Sequence, residues 1–280
     1  MSTRSLALFA LLLASCGGSD DDGIRPQGSL PDTTSARTDT SGACTAICDA
    51  SPPSIPVISD TGGMGDVTTY GGVGNTVPSA GGACNYRATG ITHYAAIQVN
   101  RLPGDGAGQW ESGRICGQCV EVRARSPEGW RTTHARIVDK CPDGHCGIDL
   151  GGAPATDLMG AQAGRYSGSW RFIPCDSLPG VSDGPTSLWV KEGSSVWWSV
   201  VQVRNPPSAV QGISLLPAGG TWTPLTWATE AENFLKVPPT VFTDSDATVR
   251  IAITYRMSPP DTFETRAANL AHANATLLVP

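Results

Sequence analysis

Six cysteines, Cys84, Cys116, Cys119, Cys141, Cys146 and Cys175, crowd into one stretch of a chain that holds nine in all. Whatever that stretch folds into must close on them. Two chemistries could do so. The spacing Cys116-x2-Cys119 followed by Cys141-x4-Cys146 loosely suits zinc, whereas an exported chain would oxidise the thiols to disulfides. Six cysteines allow fifteen disulfide connectivities, and spacing alone selects none of them.

The N-terminus favours oxidation. Residues 1–16 read as an export signal, with Arg4 as the positive region, Leu6 to Leu13 as a short apolar core and Leu13-Ala14-Ser15-Cys16 as the cleavage end. The apolar run is too short to span a bilayer. A cysteine directly after Leu-Ala-Ser resembles a bacterial lipobox, which implies lipid attachment at Cys16 and a membrane partner. Localisation is then that of an exported lipoprotein, at the outer membrane or cell surface, or extracellular. Setting Cys16 aside leaves an even count, with Cys44 and Cys48 as a further pair in the following segment.

Residues 17–61 are small and polar, with little to bury, and read as a disordered linker. Residues 62–179 string short apolar runs between glycines, at Gly65 to Gly71, Ala95 to Val99, Cys119 to Ala124, Ala135 to Val138, Gly147 to Leu150 and Trp170 to Pro174. Short strands at that spacing predict a compact six-stranded barrel, with one helix over Ala153 to Gly164. Residues 180–280 lack cysteine and carry cleaner strands at Ser187 to Glu192, Trp197 to Arg204, Val210 to Leu215, Thr221 to Thr226 and Thr248 to Tyr255. They read as an independent, immunoglobulin-like β-sandwich. The fold class is all-β. A net charge of −6 argues against nucleic acid and for neutral ligands.

The stretch from Ile137 to Leu150 carries the chemistry. In Ile148-Asp149-Leu150 the alternation of a strand points the two aliphatics one way and the carboxylate the other. Asp139 is its candidate partner, across the Cys141 to Cys146 loop. Two carboxylates beside β-structure can grip or cleave sugars, because one can hold a proton while the other stays ionised. Solvated turn acids would look the same. His93, His134, His145 and His272 are scattered without a nucleophile signature.

These elements together resemble bacterial expansins, two-domain proteins that loosen plant cell walls without hydrolysis. The resemblance rests on Gly65, Thr69 and Tyr70, on Gly82-Ala83-Cys84-Asn85-Tyr86, on Cys116 to Val120, on Val138 to Pro142 and on Asp149-Leu150. It implies a double-psi β-barrel related to family-45 glycoside hydrolases and lytic transglycosylases. It also implies the pairs Cys84 with Cys116, Cys119 with Cys175, and Cys141 with Cys146. Asp149 matches the acid needed for loosening, Thr69, Tyr70 and Asp139 lie around it, and Cys141 stands where some members have a groove tyrosine. Related hydrolases place a catalytic base just after the first-strand tyrosine. This chain has Gly71 and Gly72 there, with only Asp66 and Asp139 as substitutes, so the resemblance implies a protein that is not an enzyme.

Lys191 to Trp198 and Val201 to Asn205 are similar to the family-63 carbohydrate-binding module, whose paired tryptophans and lysine lie on cellulose. The resemblance implies a binding surface of Trp197, Trp198 and Lys191. Where the module has a third aromatic this chain has Glu230 and Ala231, so Trp227 or Trp189 is the substitute, and Trp222 is expected in the core. The sequence thus predicts a monomer that binds cellulose or a related β-glucan, with no cofactor and no metal. Two rivals stand beside it. One is a hydrolase or lytic transglycosylase acting on cellulose or peptidoglycan, and the other is a purely adhesive module.

Overall fold

The structure is a computed structural model and describes residues 61–100 and 108–280. Cys16, Cys44 and Cys48 lie outside the described residues. The first half closes into a six-stranded barrel. In chain order its strands are β1 (Gly62–Thr69), β2 (His93–Gln98), β3 (Cys119–Ser126), β4 (Gly129–Cys141), β5 (Cys146–Gly152) and β6 (Tyr166–Ile173). Around the barrel the order is β1-β5-β2-β4-β3-β6, with β1/β5 and β2/β4 parallel. Strict alternation builds it. Val120, Val122 and Ala124 of β3 are fully buried while Glu121, Arg123 and Arg125 face out. Trp170 fills the interior, and closure leaves no edge strand.

Two bulges re-aim residues. On β4, Ile137 pairs with Ala95 but Asp139 pairs with Ala96, so Val138 is the extra residue. Both Ile137 and Val138 are therefore buried, and the alternation restarts with Asp139 facing outward. On β5 the partners of Asp66 and Val67 are Cys146 and Ile148, which leaves Gly147 bulged. A Cβ there would meet the Trp170 ring at 2.7 Å, so only glycine lets β5 approach the core indole.

One helix, α1 (Ala153–Met159), follows β5. It is shorter than the expected Ala153 to Gly164. Gly160, at φ 65°, ends it by turning the chain out of helical geometry while its N–H closes on the Thr156 carbonyl.

The six cysteines form Cys84–Cys116, Cys119–Cys175 and Cys141–Cys146, the pairing implied by the resemblance. As disulfides they cannot serve as zinc ligands. Their number suits a chain that folds in an oxidising compartment.

The second half is two sheets packed on a common core. Its strands are β7 (Ser187–Val190), β8 (Ser199–Arg204), β9 (Val210–Pro217), β10 (Thr223–Pro224), β11 (Thr226–Trp227), β12 (Leu235–Val237), β13 (Thr248–Tyr255), β14 (Asp261–Arg266) and β15 (Thr276–Leu278). The sheets run β10-β9-β13-β14 and β11-β12-β8-β7-β15. Leu188, Val190, Val201 and Val203 from one meet Ile213, Leu215, Ile251 and Ile253 from the other. The sequence did not announce β12, β14 or β15. Strand β12 is three residues long, and the other two are sheet edges that bury little.

The sandwich has a core of its own, and polar contacts tie it to the barrel. Gln202 and Asn233 each donate from Nδ2 or Nε2 to the Cys84 carbonyl at 2.9 Å. Lys140 pairs with Glu232 at 2.9 Å, Arg256 with Glu111 at 2.8 Å and Arg87 with Glu192. Gln118, fully buried, accepts from the Ala209 N–H at 3.2 Å.

Candidate functional site: a carboxylate groove and an aromatic edge

Residues paired directly across neighbouring strands share a face of the sheet. Thr68 pairs with Asp149, Asp149 with Ala96, and Ala96 with Asp139. They form one row on the outside of the barrel, over β1, β5, β2 and β4. Ala96 is small, so the floor between the two acids is low. Asp149 and Asp139 stand two strand spacings apart, roughly 10 Å.

The acids are held differently. The Thr68 hydroxyl donates to Asp149 Oδ1 at 2.7 Å. Burial raises the Asp149 pKa above the ordinary carboxylate value, Thr68 and the Arg165 guanidinium oppose the rise, and Asp143 and Asp139 add to it. Asp139 is fixed through Oδ1, which accepts the N–H groups of Ala83 and Lys140 at 2.8 Å each. Tyr70 leaves β1 through its N–H bond to the Leu150 carbonyl and sets its ring edge-on to Tyr94, 5.8 Å between centroids. Burial raises its pKa first, and Asp139, Tyr94 and Asp149 raise it further. The phenol therefore stays protonated, a donor within electrostatic reach of both acids.

Thr69 is not the threonine at Asp149. It pairs with Leu150, one residue out of parity with the row, and its hydroxyl is buried without a partner. Thr68 takes the place. The Thr-x-Tyr spacing ending at Tyr70 was the signal for it. Asp66, a possible substitute base, is instead paired with Arg165 at 2.7 Å, as is Asp143. Gly71 and Gly72 both adopt φ 79° and offer no side chain beside Tyr70.

On the sandwich, Trp197 is 84% exposed. Trp198 is half-buried against Trp189, Val200 and Phe234, and its indole N–H donates to Glu230 at 3.3 Å. Neither is in a strand, since both lie in the bend before β8. Glu230 is pulled down to about 2 by its own backbone N–H, then by Lys236 and Trp198. Lys191 leans on Glu192 at 3.1 Å and, with Trp189 and Arg87, lines a cleft of about 290 Å³ between sandwich and barrel. The cleft's barrel wall includes Gly82, where a Cβ would stand 2.6 Å from the Asp139 carboxyl carbon. Groove and cleft thus adjoin.

Three tryptophans fall elsewhere than expected. Trp227 pairs with Leu235, whose side chain faces the inter-sheet core, while Lys236, beside Glu230 and Trp198, pairs with Val200 of the outer layer. Trp227 therefore belongs to the core side, with Arg114 5.8 Å from its ring, and does not complete a strip with Trp198. Trp189 is buried against Val200 and Phe234 of the sandwich, with Arg204 of the sandwich and Arg87 of the barrel 4.1 and 4.9 Å from its ring. Trp222, expected in the core, is 45% exposed ahead of β10.

No protein-family model matches the chain, and no curated protein sequence does. Among solved structures, the apo expansin of Clavibacter michiganensis superposes with a TM-score of 0.55 at 23% identity, over 78% of this chain and 95% of that one. An Asp-to-Asn mutant of the same expansin in complex with cellohexaose gives a TM-score of 0.57 at 21% identity, over 78% of this chain and 96% of that one. At such identities the likeness is one of architecture, and the chain has the barrel-and-sandwich fold of the expansins.

Proposed function

We propose that the protein binds cellulose or a related β-glucan and loosens non-covalent contacts between glucan chains without hydrolysing them. The observation that carries this is the row Thr68-Asp149-Ala96-Asp139. It sets a carboxyl with a raised pKa over a low floor beside a protonated phenol, with glycines where a hydrolytic base is expected. Such a row can exchange hydrogen bonds with sugar hydroxyls. The exposed Trp197 indole and the half-buried Trp198 offer apolar planes to sugar C–H groups. The cellohexaose bound by the expansin of the same fold supports a glucan as the ligand. The export signal and Cys16 support an exported protein held at a membrane by lipid, and Cys16→Ser should release it from the membrane fraction or leave it unprocessed.

The test is mechanical and chemical at once. The protein should weaken cellulose networks without generating reducing ends, and Asp149→Asn should abolish weakening while binding persists. One observation keeps cleavage as the second reading. Asp149 and Asp139 sit on backbones two strand spacings apart, roughly 10 Å, and inverting glycosidases hold their two carboxyl groups about 6.5 to 9.5 Å apart. Steady release of sugar ends that depends on both acids would make that reading the correct one.

A further inference from the structure

Arg136 of β4 and Arg204 of β8 come from the two halves of the molecule and line one cavity of about 50 Å³. Arg136 is 1% exposed. Its Nε donates to the Val181 carbonyl at 2.5 Å, but its Nη1 is buried with no hydrogen-bond partner. Arg204 stacks over Trp189, and its Nε and Nη2 are likewise buried and unpartnered. A buried donor left unmet costs about 1 to 3 kcal/mol, more when charged. Three such donors on two cations at one cavity demand an explanation.

Nearby carboxylates answer part of it. Asp183, on the cavity wall, already accepts the Gly90 N–H at 2.8 Å, and Asp176 and Glu192 act on the arginines only through their fields. Glu192 is engaged by Arg87 and Lys191. On the cavity wall itself two guanidiniums face one carboxylate, that of Asp183. Burial presses the Arg136 pKa down to about 10, the mark of a cation short of solvent. Water could accept from these donors but must find acceptors for its own protons, whereas an anion accepts without donating. The volume is several times what one water requires, about 10 to 15 Å³ on this measure, and so has room for an ion of halide size.

We propose that the joint between barrel and sandwich holds a small monovalent anion of halide size, bound by Arg136 and Arg204. The anion bridges the two halves through the arginines and is separate from the glucan groove.

Replacing an arginine as deeply buried as Arg136 endangers folding itself, so the test uses Arg204→Met, which keeps the stem on Trp189 and removes the charge. Thermal unfolding of the intact protein is followed as chloride, then bromide, replaces a bulky organic sulfonate at constant ionic strength. The midpoint should rise saturably with halide in the parent, and the halide concentration for half-effect should increase at least tenfold in Arg204→Met. Crystals soaked in bromide should show an anomalous peak between the two guanidiniums. Equal halide responses in both proteins would reveal a general solvent effect, and together with a cavity free of bromide would overturn the proposal. A bromide peak without saturable stabilisation would overturn it as well, leaving an adventitious ion only.

Discussion

Asp149 lies between opposing influences, burial driving its proton on and the Thr68 hydroxyl holding the charged form. Thr68→Val removes only the second. The carboxyl should then titrate at higher pH than in the parent, and the pH profile of cellulose weakening should move upward with it. An unchanged profile would mean that Thr68 does not govern the acid. On the sandwich, Trp197→Ala should leave the unfolding midpoint nearly unchanged, since the side chain stands in solvent, yet weaken cellulose retention. An aromatic contact and its area suggest a loss of about 1 to 3 kcal/mol, or five- to hundred-fold in a depletion assay. Trp198→Ala should lower both quantities because that ring also packs on Phe234 and Val200. How legible such residues are depends on what decides their direction. Ile148-Asp149-Leu150 declared itself because strand parity alone sets it. Thr68 and Thr69 are adjacent and alike, so parity had to be known before either could be assigned. Trp189 lies on the face of β7 away from the inter-sheet core and is buried by Phe234 and by the two arginines over its ring, residues distant in sequence that no local pattern records.

At the level of elements, the groove depends on irregularities more than on regular strands. The extra residue at Val138 turns Asp139 outward, and the 3-10 turn Gly82–Cys84 presents the Ala83 N–H to that carboxylate. Gly82 adopts φ 48°, and a Cβ on it would lie 2.5 Å from the Val138 carbonyl oxygen as well as against Asp139. Gly82→Ala should therefore destabilise the fold by about 1 to 3 kcal/mol in chemical denaturation and displace the Asp139 carboxylate, so that weakening activity falls further than stability does. If activity survives at full level, the position of Asp139 is not critical. The six barrel strands were visible as apolar runs bounded by glycine, and the bulges were not. A bulge is a property of pairing between two strands, and a single strand's sequence, such as Arg136 to Asp139, reads equally well without it. The edge strands β14 and β15 failed to register for a related reason, since half of their surroundings is water.

Over the whole molecule, charge pairs reinforce a joint built chiefly on buried hydrogen bonds. The Arg87 guanidinium first, then the residue's own backbone N–H and Lys191, pull the Glu192 pKa down to about 2. A folded pKa below the unfolded one contributes stability above about pH 4.5, and that contribution is lost as pH falls toward 2. Both side chains are around half exposed, so screening keeps the contribution to about 1 kcal/mol or less. Glu192→Gln should melt slightly below the parent at pH 7, and the gap should close near pH 2; a gap independent of pH would assign the loss to packing. Asn233→Ala removes one of two donors from the Cys84 carbonyl and should cost about 1 to 3 kcal/mol. That carbonyl ends the same short turn whose Ala83 N–H grips Asp139. If the sandwich is held on an immobile polymer, as the proposed function has it, a pull on it would pass through Gln202 and Asn233 into one peptide carbonyl, and from there across a single residue to Asp139 in the groove.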